Sequence, residues 1–382
     1  MDFSLTAEQR EQRSVIVEFA RDRLNGGLRD RDRNQAFSRE LWLACGEMGL
    51  PGLAVAEDVG GVGLDAQGTA VALEALGYGC EDGGLVFSLC AHLLACAVPL
   101  NRFGTREQRE RFLPGMSNGT LIAVNAITEP ESGSDAFAMR LRAVADGAGF
   151  RLTGTKTFAS NAPVADVALV FAMTDPAKGF HGGASAFLVE ATSPGYSAAH
   201  SIEKMGLRTA PFGEIVFDDV YVPADMVVGG VGGGARVFTY AMDWERALLG
   251  ATHVGTMERL LETAVRYART RSSGGKAIGK YQAVSHKIAD MKVHLEAARL
   301  LVHRAAAALD AGQPAAMDAA IAKLFVSESL VRAALDVVQV HGGYGYTTDF
   351  EVERALRDAV ASTLYSGTSE IQRNIIGAWL GL

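Results

Sequence analysis

The sequence predicts a mainly α protein with a central β domain: an N-terminal helical domain, a barrel-like β-sheet middle domain and a C-terminal four-helix bundle. Three observations carry this reading. Apolar residues recur at helical spacing in roughly the first and last thirds of the chain. Between them lie short β-branched or alternating runs punctuated by Gly, Pro and Asp. With 382 residues, 48% of them hydrophobic, the chain can bury a core divided among two or three packed units. The expected divisions are 1–119, 120–234 and 235–382.

Thr6 is placed to cap a first helix, whose Val15, Ile16, Phe19 and Leu24 keep helical spacing. Ser38 is placed to cap a second, carrying Leu41, Leu43 and Met48 and stopped by Gly49 and Pro51. Further helices are expected over 65–78, 83–98 and 105–115. Gly83 to Asn101 carries no formal charge and has about the length of a bilayer span. Ser88, His92 and Pro99 within it favour a helix buried inside the protein. Strands are expected at Leu121–Ile127, Phe150–Thr157, Val167–Met173, Ala186–Glu190 and Ile215–Val222, followed by a hinge in the glycines from Gly229 to Gly234. Helices then resume over about 237–271, 281–311, 315–340, 350–364 and 369–379.

A formal net charge of −8 and the lack of a Lys/Arg block argue against nucleic acid as a partner. Met1 to Thr6 lacks the basic and apolar regions of a signal peptide, and the four cysteines form no CxxC pair. A cytoplasmic protein with reduced, buried thiols and no membrane span is the expectation. The glycine cluster lacks GxGxxG spacing, the stretch from Gly274 to Lys280 lacks the Ser or Thr of a P-loop, and the histidines show no HxxxH or HExxH pairing. No metal site is expected.

Three segments differ from generic core. Ala126 to Asp135 crowds hydroxyls and backbone donors around Gly and Pro, as either a hairpin connection or a loop for a polar ring or phosphate. Gln339 to Tyr346 ends a helix in glycines that permit close backbone approach. Tyr365 to Gln372 is a turn whose Thr and Ser also suit helix capping.

Taken with the Lys156–Asn161 strand and the segment from Arg269 to Gln282, these motifs resemble the acyl-CoA dehydrogenase family over nearly the whole chain. The resemblance implies FAD held noncovalently in a homodimer or homotetramer. It places Asn125, Ile127, Thr128, Gly133 and Ser134 along the flavin and pyrophosphate, with Phe158 and Ser160 over the ring where many members have Trp and Thr. Arg271, Gln282, Gln339, Gly342 and Gly343 would reach the dinucleotide of a neighbouring subunit. Thr368 and Glu370 would close the site, and Ser134, Arg246, Ser366 and Gly367 would touch substrate.

The departures from the family pattern sharpen this. Many members carry their catalytic glutamate where this chain has Ser366, which cannot serve as base near neutral pH. The family's alternative position falls on Glu245, as in isovaleryl-CoA dehydrogenases. Helix geometry puts Glu245 on a face with Ala241, Met242, Leu248 and Leu249, an apolar setting expected to raise a carboxyl pKa. Asp243 points about 200° away and is expected to pair with Arg246. Gly274 stands where a phenylalanine is frequent. The runs Phe87–His92 and Trp244–Arg246 resemble the subgroup acting on carrier-protein thioesters, including prolyl units. Met205 to Ala210 looks more like ordinary acyl-CoA dehydrogenases, which leaves another short acyl group equally open. The implied reaction is α,β-dehydrogenation of a thioester on a carrier protein or CoA. Electrons would pass on to electron-transfer flavoprotein or oxygen.

Overall fold

The first helix begins at its expected cap. Thr6 Oγ accepts from the Gln9 N–H while the Gln9 side chain accepts from the Thr6 N–H, and α1 (Ala7–Arg23) follows. The structure, a computed structural model, describes residues 4–198 and 201–382; Met1 to Phe3 of the opening segment lie outside the described residues. Next come α2 (Leu28–Asn34), α3 (Arg39–Glu47) capped by Ser38, and α4 (Ala66–Gly79) capped by Asp65. After α5 (Gly83–His92), five residues, Leu93–Ala97, form a π turn that continues into α6 (Val98–Phe103). Gly83–Phe103 therefore runs as one helix, long and apolar enough to cross a membrane but largely buried inside the protein. A second capping box at Thr105 starts α7 (Arg106–Ser117).

The middle of the chain forms β1 (Ala123–Ala126), β2 (Arg142–Asp146), β3 (Gly149–Ser160), β4 (Val167–Met173), the short α8 (Gly179–Gly183), β5 (Ala184–Glu190), β6 (Tyr196–Ser197), β7 (Phe212–Pro223) and β8 (Val227–Val228). The strands lie in the order β6-β7-β3-β2-β4-β5-β8, with β1 parallel to β4 beside it. The sheet is therefore open, with β6 and β8 at its ends, and the barrel-like expectation stops short of closure. Strand β2 is absent from the sequence expectation because four of its five side chains are exposed and no apolar alternation marks it.

Then α9 (Gly234–Thr270) runs 37 residues, followed by a small hairpin of β9 (Ser272–Ser273) and β10 (Lys276–Ala277), α10 (Gln282–Asp310), α11 (Ala316–His341), α12 (Val352–Ala361) and α13 (Ser369–Trp379). Gly274 and Gly275 both have positive φ, the form of a tight two-residue hairpin, and a Cβ on Gly274 would lie 2.6 Å from the Tyr281 hydroxyl. A phenylalanine at position 274 would therefore take a strained left-handed φ and displace the Tyr281 ring.

Two cores result. One fills the sheet domain around Val124, Leu152, Phe187, Ile215 and Phe217. The other is continuous through the N-terminal helices and the C-terminal bundle, joining Trp42, Leu76 and Leu94 to Leu248, Leu295 and Val326. Helices α4 and α9 approach closely at glycines: a Cβ on Gly77 would fall 2.0 Å from Thr252 O, and one on Gly255 2.1 Å from Glu74 O. That shared core sets α9, with Glu245 on it, against α5 and the π turn.

Candidate active site

Glu245 is 8% exposed, among the buried Ala241, Met242, Leu248 and Leu249 of its own helix, as the spacing predicts. Its Oε1 accepts from Ser366 Oγ at 2.5 Å. Burial raises its pKa, an effect that the Ser366 hydrogen bond and the charges of Arg246 and Lys323 offset only in part. Across from it, the Cys90 and Cys96 thiols are pushed up by burial and further by the Glu245 charge.

The turn that meets Glu245 is held firmly. Ser366 has φ +56° and Gly367 φ +88°, so the chain reverses through two left-handed residues. Ser366 O accepts from Arg246 Nε at 3.0 Å and from Gln372 Nε2 at 3.1 Å, and Gly367 O accepts from Gln372 at 2.8 Å. On the other side, Tyr365 stacks on Phe87 with centroids 4.6 Å apart, and its hydroxyl lies 2.8 Å from His253 Nε2. Burial keeps His253 neutral, with a pKa near 3. Behind this aromatic wall is a cavity of about 380 Å³ lined in part by Leu207, Leu249, Arg259 and Asp358.

The expected Asp243–Arg246 pair is not made among the described residues. Arg246 reaches Ser366 instead, and Asp243 Oδ1 is buried without a partner. Thr368 acts as the N-cap of α13, its Oγ1 accepting from the Ile371 N–H. Beside it Ser369 Oγ is buried without a partner, while Glu370 is exposed.

The loop from Ala126 to Asp135 is fixed from below. Lys156 Nζ donates to Glu129 Oε1 and to Ile127 O, both at 2.8 Å, and the Leu141 and Arg140 N–H groups also bond Glu129. Burial lowers the Lys156 pKa to about 8, yet the pair stays ionised because each partner steadies the other. Gly133 and Ser134 are left exposed at the tip. Asn125 lies deeper, its Nδ2 donating to Ala95 O in the π turn. Thr128 O accepts from the Thr157 N–H. A register irregularity between Lys156 and Ala159 turns Phe158 outward at φ +54° and 59% exposure, stacked on Phe212, which pairs with Ser160.

Arg271, Gln282, Gln339, Gly342 and Gly343 are all exposed and gather at one end of the bundle, where Arg271 lies over the Tyr344 ring. Among the described residues no hydrogen bond or ion pair joins this surface to the 126–135 loop. An exposed aromatic face, an anchored loop with an open glycine and an exposed guanidinium fit the mixed apolar and anionic character of a flavin dinucleotide.

Sequence reasoning missed the Glu129–Lys156 pair, Gln372, His253 and Lys323. Lys323 on α11 is 6% exposed with Nζ unpartnered, and burial lowers its pKa to about 8. Its only sequence signal is a lysine inside the apolar run Ala319–Val326. The Glu129–Lys156 pair and His253 depend on contacts distant in sequence, whereas Gln372 lies one helical turn past the carbonyls it holds, at Ser366 and Gly367.

Three family models match: acyl-CoA dehydrogenase N-terminal domain at residues 6–120, middle domain at 125–220 and C-terminal domain at 232–381. An L-prolyl-[peptidyl-carrier protein] dehydrogenase of Pseudomonas fluorescens is 42% identical over 384 residues, covering 100% of both chains. A short-chain-specific acyl-CoA dehydrogenase of Megasphaera elsdenii is 36% identical, again over 100% of both. Among solved structures, PigA with FAD and proline superposes with a TM-score of 0.98 at 42% identity over 100% of both chains. With matched models over all three regions and full-length relatives above one-third identity, the chain belongs to the acyl-CoA dehydrogenase family.

Proposed function

We propose that this chain is an FAD-dependent dehydrogenase of short acyl or aminoacyl thioesters held on a carrier protein, with Glu245 as its base. The observation that carries the reading is a single buried carboxylate, raised in pKa, facing the turn at Ser366. The likeness to an L-prolyl-[peptidyl-carrier protein] dehydrogenase supports the carrier-bound substrate, and that to PigA with FAD and proline supports the flavin and a prolyl group.

Loop residues 125–134, Phe158, Ser160 and Thr368 would hold FAD from one subunit. Arg271, Gln282 and Gln339 to Gly343 would hold it from a neighbour, which requires a homodimer or homotetramer. When bound, FAD supplies the acceptor for the β-hydrogen and its electron pair. Glu245 takes the α-proton on Oε2, which makes no hydrogen bond among the described residues, as the Cα–Cβ double bond forms. The Ser366 N–H, also free of a partner there, would donate to the thioester oxygen and stabilise charge as it develops. The four free, buried cysteines suit a reducing cytoplasm. Electrons then leave to electron-transfer flavoprotein or oxygen.

Anaerobic addition of a prolyl or short acyl thioester on a phosphopantetheinylated carrier should bleach the flavin band, and faster than the same group on CoA. Glu245→Gln should abolish bleaching. No bleaching with any thioester would overturn the proposal, and equal rates on CoA would favour a short-chain acyl-CoA substrate, as in the Megasphaera relative.

A further inference from the structure

Two consecutive residues of α9 grip one residue of the opposite turn. Glu245 accepts from the Ser366 hydroxyl, and Arg246 donates to the Ser366 carbonyl. That carbonyl also accepts from Gln372, so both of its lone pairs are engaged. Ser366 is further held in the left-handed region, between Tyr365, which is fixed by Phe87 and His253, and Gly367. A serine hydroxyl normally samples several rotamers. Here its backbone is immobilised from three directions, so its O–H is delivered to one carboxylate oxygen.

We infer that Ser366 is a positioning residue for Glu245: its hydroxyl fixes Oε1 and turns Oε2 toward the substrate α-carbon. The inference rests on the reading of Glu245 as base. It gives the serine a task beyond lending its backbone N–H, because a side chain without a hydroxyl would keep that N–H and lose the hold on the carboxylate. The groups facing Glu245 are Cys90 of α5, Cys96 of the π turn, Arg246 of α9, Lys323 of α11, and Tyr365 and Ser366 of the turn. Of these, Ser366 alone hydrogen-bonds Glu245 among the described residues. Arg246 and Lys323 act through their charge.

The test compares Ser366→Gly with the wild type in the FAD-loaded protein. Glycine accepts the left-handed φ and keeps the backbone N–H, so the fold is preserved while the hydroxyl is removed. The Glu245 carboxyl band is identified in infrared difference spectra by its loss in Glu245→Gln, and is titrated without substrate. Removing a hydrogen bond to the charged form should move its midpoint up by about one to two pH units in Ser366→Gly. An unchanged midpoint in Ser366→Gly overturns the inference. This reading needs no turnover, so it stands apart from the fate of the proposed substrate. With a thioester that reduces the wild-type flavin, Ser366→Gly should also lower the limiting reduction rate about tenfold with little change in substrate affinity. A wild-type rate in Ser366→Gly at every pH would likewise overturn the positioning role.

Discussion

Glu129 and Glu245 are buried to nearly the same extent, 6% and 8% exposed, yet their carboxyl groups are driven in opposite directions. Burial alone would raise both. At Glu129 it is outweighed by the Lys156 ammonium and by two backbone N–H groups, and the pKa falls below the ordinary value. At Glu245 one hydroxyl and two more distant cations are too little, and the pKa rises. What separates a structural carboxylate from a candidate base is how deeply the protein encloses it together with the number of donors committed to it. The first has every oxygen engaged and holds a loop; the second keeps an oxygen free.

The contrast is most exposed to reversal by exchanging the two glutamates for glutamine. Glu245→Gln should cost about 10²–10⁴-fold in the rate of flavin reduction while leaving the melting temperature unchanged or higher, since a poorly paired buried charge is gone. Glu129→Gln should do the reverse, reducing thermal stability and FAD retention while leaving the intrinsic rate of the loaded fraction intact. Stopped-flow reduction and thermal melts on the same preparations would show whether the two effects separate. Next in size, Lys156→Met should destabilise by about 3–5 kcal/mol in denaturant titration, because Glu129 is left as an unpaired buried charge. Adding Glu129→Gln to that variant should recover a good part of the loss.

Proton linkage sharpens the comparison further. The lowered pKa of Glu129 means that its contribution is present above the unfolded value near 4.5 and lost as pH falls through its folded value. The raised pKa of Glu245 has the opposite sign: its contribution is present below the unfolded value and lost as pH rises through its folded one. Stability measured against pH in the two glutamine variants should therefore diverge from wild type in opposite directions, each by about 1 kcal/mol. Flavin reduction should rise with pH through the raised Glu245 midpoint, since only the carboxylate accepts the proton. Smallest of all, Thr368→Ala removes the α13 cap at a cost of about 1 kcal/mol in stability, with Glu245 still hydrogen-bonded to Ser366.

Much of the fold was legible where its determinants are local. Thr6 and Ser38 marked helix starts by the hydrogen bonds their side chains can make, and the Glu245 stripe followed from spacing alone. The closure of the sheet was not, because strand pairing is set by contacts far apart in sequence, and β2 gives no apolar alternation to find. At the candidate site, Glu245 and Ser366 were identified from the family pattern. Their hydrogen bond spans 121 positions and appears only in three dimensions. Asp243 was misassigned to Arg246 for the same reason: helical spacing favoured the near neighbour, whereas a carbonyl on a distant turn takes the guanidinium.

The π turn at Leu93–Ala97 gives the apolar helix a sensitivity to length that its composition hides. A π turn closes one residue later than an α turn, so the segment after it is out of phase with the segment before. Deleting a single residue there would restore regular winding and leave Val98–Phe103 facing much as it does, whereas inserting a further residue with no second bulge to take it up would rotate that segment by about 100°. Phe103 would then swing away from Tyr240, against which it packs edge-on at 5.3 Å near the start of α9. Substitutions along this helix are absorbed one side chain at a time, but a one-codon insertion would be transmitted down α9 toward Glu245.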